Sequence, residues 1–167
     1  MPDDPELRPA TVADCVAVCR LWNEIIRTTV ITFTSEPRTP DGLSQLLENK
    51  ALDRHPFLVA SSRGRLLGFA TYGQFRAGPG YAHTMESTIM IESGARGCGV
   101  GTGLMAAIEN HARTQGVHSI FAGVSGENPG AVRFHAKCGF SETARLREVG
   151  FKFGRWHDLV LMQKILD

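Results

Sequence analysis

The chain has 167 residues, 43% hydrophobic and 21% charged, with a formal net charge of +1. That length suits one domain around one core, so a single domain over residues 1–167 is expected. Basic residues are scattered, densest at Arg63-Gly64-Arg65 and Arg145 to Arg147, and the absence of a concentrated basic face argues against a nucleic-acid partner.

The first residues, Met1-Pro2-Asp3-Asp4-Pro5-Glu6, are acidic and carry no apolar run, so no secretory leader is expected. No stretch nears the ~20 apolar residues of a membrane span. No membrane partner is therefore expected, and a reducing cytoplasm is the expected compartment. Leu7 to Pro9 reads as a first strand. Thr11 and Asp14 form a capping box ahead of a helix whose apolar positions are Val12, Cys15, Val16, Cys19, Trp22, Ile25 and Ile26. That helix is expected to end near the β-branched run 28–32. Cys15 and Cys19 read as buried thiols on its face, because no C-x-x-C pair exists among Cys15, Cys19, Cys98 and Cys138. Thr39-Pro40 caps a second helix with Leu43, Leu46 and Leu47 on its apolar side.

Phe57 to Ser61 and Leu66 to Phe75 read as strands joined by a turn at Arg63-Gly64-Arg65. Gly78-Pro79-Gly80 opens a loop, and Thr84 to Ile91 is the next strand. A glycine-rich loop leads to a third helix carrying Leu104, Met105, Ile108 and Ala112 on one face. Ser119 to Val124 is a strand. Asn128-Pro129 caps a fourth helix with Ala131, Val132, Phe134, His135 and Cys138, stopped by Gly139. Two strands, about Glu142 to Phe151 and Leu159 to Ile165, close the chain. The order β-α-α-β-β-β-α-β-α-β-β implies an α/β domain with a mixed sheet.

The stretch Arg96-Gly97-Cys98-Gly99-Val100-Gly101-Thr102-Gly103 lies between a strand and an amphipathic helix. Glycines let backbone N–H groups approach a ligand, and a helix N-terminus adds unsatisfied donors and positive dipole. Together they make a cradle for a pyrophosphate, to which Arg96 can add a charge-assisted bond. A P-loop is excluded because no lysine follows the glycines. Gly101-Thr102-Gly103-Leu104-Met105-Ala106 has the letters of a dinucleotide fingerprint, but some ten residues after Ile91 and inside the helical pattern. R-x-x-G-x-G fits Arg96, Gly99 and Gly101. A merely flexible turn is the remaining alternative.

With Ile89-Met90-Ile91 before this loop and Asn128-x-x-Ala131-x-x-Phe134-His135-x-x-x-Gly139-Phe140 after it, the chain resembles the GNAT N-acetyltransferases over nearly its whole length. The resemblance implies a mixed, mostly antiparallel sheet flanked by about four helices, and acetyl-coenzyme A as co-substrate. Thr32-Phe33-Thr34-Ser35-Glu36-Pro37, Thr84-Met85-Glu86-Ser87-Thr88 and the run Val149 to Leu159 are similar to the phosphinothricin N-acetyltransferase branch. That likeness implies acetylation of the α-amine of phosphinothricin, methionine sulfoximine or methionine sulfone, and a homodimer.

An amine attacks a thioester only when neutral, so a base is needed. Glu86 is the candidate, directly or through a water; its alternative is a salt-bridged strand glutamate. The resemblance implies that backbone amides of Ile89, Met90 and Ile91 face the developing oxyanion and pair with the pantetheine arm. It also implies that Asn128, already a helix cap, contacts coenzyme A. His135 stands where many members of the superfamily carry a tyrosine acid; it either donates a proton or is a satisfied helix histidine. Arg76 either holds an acceptor carboxylate or phosphinate, or is an exposed loop arginine. Phe33, Lys152 and Trp156 are implied walls of the acceptor pocket, Trp156 being alternatively core. The six histidines show no metal-binding spacing, so no metal is expected, and no G-x-S-x-G hydrolase signature occurs. Another amine acceptor, a non-catalytic acyl-CoA-binding module and a nicotinamide enzyme are the competing readings.

Overall fold

The computed structural model describes residues 4–167; residues 1–3, the head of the acidic stretch in which no leader is expected, lie outside the described residues. The chain runs β1 (Glu6–Pro9), α1 (Cys15–Thr28), α2 (Pro40–Leu52), β2 (Phe57–Ser62), β3 (Arg65–Gln74), β4 (Thr84–Ile91), α3 (Val100–Thr114), β5 (Ser119–Ser125), α4 (Pro129–Lys137), β6 (Ser141–Lys152) and β7 (Arg155–Ile165). The seven strands form one sheet in the order β1-β2-β3-β4-β5-β7-β6. Pairings β1–β2, β2–β3, β5–β7 and β6–β7 are antiparallel, and β4–β5 is parallel. The expected element order and mixed, mostly antiparallel sheet are what the chain adopts.

The residues group into two compact units. The first comprises Met1–Trp22, Arg38–Gly73 and Thr88–Gly116. Its core joins Val18, Cys19 and Trp22 of α1, Leu43 of α2, Phe57 and Val59 of β2, Phe69 of β3, and Leu104, Met105 and Ile108 of α3, all buried. Trp22 and Phe57 both pack on Phe69, with ring centroids 4.9 and 5.2 Å away. Such aromatic contacts add to the area each ring removes from water. The capping box forms, with Asp14 Oδ2 accepting from the Thr11 amide at 2.7 Å. It opens a short 3₁₀ turn at Val12–Asp14 rather than α1 itself. Val12 and Val16 are consequently solvent-exposed and leave the expected apolar stripe, which runs instead through 15, 18, 19, 22, 25 and 26. Arg8 clamps Asp14 through two bonds of 2.8 and 2.9 Å, and this ion pair holds the Asp14 pKa down at about 2.

The second unit comprises Asn23–Pro37, Gln74–Ser87 and Val117–Asp167. Ile25, Ile26, Met85, Ile120, Ala122, Val124, Phe140, Val160 and Met162 fill its core. β7 begins at Arg155, four residues before the expected Leu159, because a two-residue turn joins it to β6. Phe153 and Gly154 both have positive φ, 53° and 74°, the signature of a type I′ hairpin whose twist matches the flanking strands. Phenylalanine at positive φ is unusual, which is why this turn was not legible as one. Further back, the β6–β7 register shifts between Leu146 and Gly150, and Glu148 has φ 53° in that bulge.

Candidate functional site

The glycine loop belongs to the first unit. Gly97 and Gly99 have φ of 76° and 84°, and a Cβ at either would meet nothing within 4 Å. Backbone is thus bare and open at both positions. Gly99 is the N-cap of the 15-residue α3, and no side chain caps it. The first amides of α3 therefore keep unsatisfied donors at the positive end of the dipole, a donor set that fits a pyrophosphate. Arg96, Gly97 and Cys98 are exposed, Val100 is buried under the loop, and Thr102 lies in the first turn of α3. The Arg96 Nε donates to the Ile91 carbonyl at 3.3 Å, which ties the loop to the end of β4. Gly101 and Gly103 lie inside α3, so the G-x-G-x-x-A run is helix and not a strand-to-helix turn; this removes the dinucleotide reading.

The remaining site residues belong to the second unit. Glu86 is exposed as a residue, but its carboxyl leans over β5: Oε1 is 3.2 Å from the point a Cβ on Gly123 would occupy. The strand register sets Glu86 beside Phe121, whose ring stacks on Phe75 at 4.5 Å. Burial against these neighbours raises the Glu86 pKa above the ordinary carboxylate value. Among the described residues Glu86 makes no ion pair, so the salt-bridge alternative is not what the structure holds.

Asn128 caps α4, its Oδ1 accepting from the Ala131 amide at 3.1 Å. It also lines a cleft of about 420 Å³ with Thr28, Thr29, Ile31, Phe153 and Arg155. His135 is buried, and its Nδ1 donates to the Ala131 carbonyl at 2.8 Å. Phe134 and Phe140 meet its ring edge-on. Burial lowers its pKa, so at neutral pH the ring is neutral with its one proton on Nδ1. Nε2 then offers a lone pair, not a proton. Arg76 is exposed, in a loop shaped by Gln74, whose Nε2 donates to the carbonyls of Arg76 and Gly78 at 2.7 and 2.8 Å.

Phe33 and Lys152 come together around the β6–β7 hairpin. Lys152 is buried and its ammonium donates to the carbonyls of Thr29 and Thr32, each at 2.8 Å. Phe33 stacks on His157 at 5.5 Å, 16° from parallel. Trp156 is 58% exposed, so it is not core, and it pairs with Phe151 on the opposite strand face from His157. Sequence reasoning missed Gly123, Glu127, Gly150 and His157. A glycine inside a strand is the one signal that could have pointed to two of them, since it marks a close approach.

The family model described as Acetyltransferase (GNAT) family matches residues 20–140. The chain belongs to the GNAT acetyltransferase family. The L-methionine sulfoximine/L-methionine sulfone acetyltransferase of Salmonella typhimurium is similar to this GNAT chain, 32% identical, with 96% of this chain and 94% of the relative covered. A ribosomal-protein-alanine N-acetyltransferase structure from Brucella melitensis superposes with TM-score 0.93 at 38% identity, covering 96% of this chain and 99% of the other. A Sinorhizobium meliloti phosphinothricin acetyltransferase solved with acetyl-CoA superposes with TM-score 0.92 at 27% identity, covering 98% and 89%. The GNAT chain is accordingly an acetyl-coenzyme A-dependent N-acetyltransferase. Among the described residues no group of three His, Cys, Asp or Glu could hold a metal, and no helix is long and apolar enough to cross a membrane.

The Gly123–Glu86 contact has a direct test. Gly123→Ala puts a methyl 3.2 Å from Oε1 and forces the carboxyl to shift. If that carboxyl is the base of the reaction, kcat should fall by about threefold with little change in acetyl-CoA KM, measured by thiol release.

Proposed function

We propose that this enzyme acetylates the α-amine of a small amino-acid-like acceptor such as L-phosphinothricin, L-methionine sulfoximine or L-methionine sulfone. The observation that carries the reading is Glu86: an unpaired carboxyl, its pKa raised by burial, on the strand that leads into the Ile89–Ile91 segment. A raised pKa brings a carboxylate nearer the strength needed to take a proton from an ammonium at neutral pH. The names borne by the Salmonella and Sinorhizobium proteins support the acceptor class.

Glu86 takes the amine proton, directly or through one water. Amides of Ile89, Met90 and Ile91 stabilise the oxygen on which charge builds as the amine attacks, and they pair with the pantetheine arm. Arg96 and the amides of Gly97, Cys98, Gly99, Val100, Gly101 and Thr102 hold the pyrophosphate. Asn128 contacts coenzyme A at the α4 cap. His135 serves as a packing group, because its single proton is already committed to the Ala131 carbonyl; the thiolate leaves without its help. Phe33 and the segment fixed by Lys152 wall the acceptor, and exposed Arg76 meets its carboxylate or phosphinate. Trp156 acts elsewhere. With Leu146, Val149, Phe151 and Phe153 it makes an exposed apolar surface on β6, the edge strand, and β7. Such an edge needs cover, and a second copy of the chain supplies it as a homodimer.

The protein works as one acetyltransferase domain over 1–167 in the cytoplasm, without nucleic acid or membrane as partner. Alignment with the Salmonella relative over 96% of the chain and four free cysteines support this. A second reading, acetylation of a protein N-terminus, is favoured by the name of the Brucella neighbour.

A thiol-release assay over phosphinothricin, methionine sulfoximine, methionine sulfone, spermidine and alanyl peptides decides between them. The amino-acid analogues should give the highest kcat/KM; preference for peptides would overturn the first reading. Glu86→Gln should cut kcat by about 10²-fold and remove the acid limb of the pH profile, in which activity rises as pH climbs through the Glu86 pKa. Normal turnover of Glu86→Gln at neutral pH would exclude Glu86. Arg96→Ala should raise acetyl-CoA KM by about tenfold, with kcat near normal, from loss of one charge-assisted phosphate bond. Sedimentation should give a dimer, and Phe151→Ser with Trp156→Ser a monomer.

A further inference from the structure

The β6–β7 hairpin contains a buried histidine that the reaction itself does not use. His157 is 2% exposed. Its Nε2 lies 2.9 Å from the Lys152 carbonyl, which can only accept, so this nitrogen donates. Its Nδ1 bonds the Glu127 carboxylate. Arg155 binds the same carboxylate through two bonds of 2.7 and 2.8 Å, and these bonds, followed by the His157 bond, hold the Glu127 pKa below the ordinary value. Glu127 is thus ionised and stands as an acceptor beside Nδ1. Both ring nitrogens face oxygen partners, which fixes the ring plane.

That plane is what Phe33 stacks on. Phe33 also rests against Gly150, the cross-strand partner of His157. A Cβ on Gly150 would fall 2.2 Å from Phe33 Cδ2, so only glycine leaves room for the ring. Four residues are therefore linked in one chain of contacts. Glu127 orients His157, and His157 and Gly150 seat Phe33. The carbonyl bonded to His157 is that of Lys152, whose own ammonium ties down Thr29 and Thr32. The whole 29–33 segment is held from beneath by the hairpin. Segments between elements have no ladder of their own, so their shape comes from such tethers.

We propose that His157 is a positioning residue for the acceptor: through Phe33 and Lys152 it sets the shape of the 29–33 wall, and Glu127 and Gly150 act with it. This rests on the reading that Phe33 and its segment wall the acceptor pocket. It predicts an effect on acceptor binding that is separate from the handling of acetyl-coenzyme A.

The test pairs kinetics with hydrogen exchange on the full chain. His157→Phe keeps an aromatic ring but removes both ring-nitrogen hydrogen bonds. Acceptor KM should rise by about tenfold with acetyl-CoA KM unchanged within about twofold. Amides 29–33 should exchange faster in the free enzyme. Gly150→Ala, which evicts the Phe33 ring, and Lys152→Met, which cuts the two carbonyl tethers, should give the same split, and either carries the test if His157→Phe fails to fold. Unchanged acceptor KM and unchanged exchange in a folded variant overturn the proposal. A purely structural role would lower thermal stability and raise neither KM selectively, which also overturns it. If the wild type acetylates another amine and none of the amino-acid analogues, the acceptor class fails, and the same split measured with that amine keeps the positioning role.

Discussion

One parallel strand pair governs how this enzyme is built. Thr84–Ser87 runs parallel to Ser119–Ala122 within a sheet whose other assigned pairings are antiparallel. Parallel strands cannot be joined by a hairpin; they require a crossover, and a helix is the usual one. Here the crossover is the glycine loop followed by α3. The requirement to re-enter the sheet in the same direction is thus what creates a helix N-terminus just past the end of β4. The same pairing brings Gly123 of β5 under the Glu86 carboxyl. A topological constraint supplies both a set of free backbone donors and a carboxyl with a raised pKa.

Electrostatics are handled differently in the two places. At the glycine loop, donors are left unsatisfied and open to solvent, which costs little because water answers them. Around the hairpin, polar groups are buried and every one is answered. The Lys152 ammonium has two carbonyls, and both His157 nitrogens have acceptors. No buried side-chain nitrogen or oxygen among the described residues lacks a partner. An unanswered ammonium in that setting would cost several kcal/mol, so the tethers to Thr29 and Thr32 are enforced rather than incidental. The glycine loop is bare, and the segment around Thr29 and Thr32 is fastened.

His135 illustrates how environment decides a role that residue type leaves open. An imidazole at this point of the sequence could act as an acid. Burial and an i−4 carbonyl instead fix a neutral ring with its proton turned back into α4. Glu86 runs the other way. Burial without a charged partner lifts its pKa and makes it a better proton acceptor near neutrality.

The sequence alone determined the element order, a bare glycine loop ahead of α3, the α4 cap at Asn128 and the helical character of every amphipathic segment. These are local: periodicity, capping residues and glycine conformations act over a few residues and leave a direct imprint on the chain. It misjudged the start of β7 and the membership of Val12 and Val16 in the α1 stripe, because a phenylalanine at positive φ and a 3₁₀ entry turn are chosen by packing, not by propensity. Only the tertiary structure joined Phe33 to residues 150 and 157, tied Lys152 to Thr29 and Thr32, set Gly123 beneath Glu86, turned the His135 proton inward and drew Glu127 into the hairpin. Those contacts reach far along the chain, 123 positions between Lys152 and Thr29. Nothing in a window of neighbouring residues encodes which distant carbonyl will answer a buried charge; that is settled when the core closes and water is excluded.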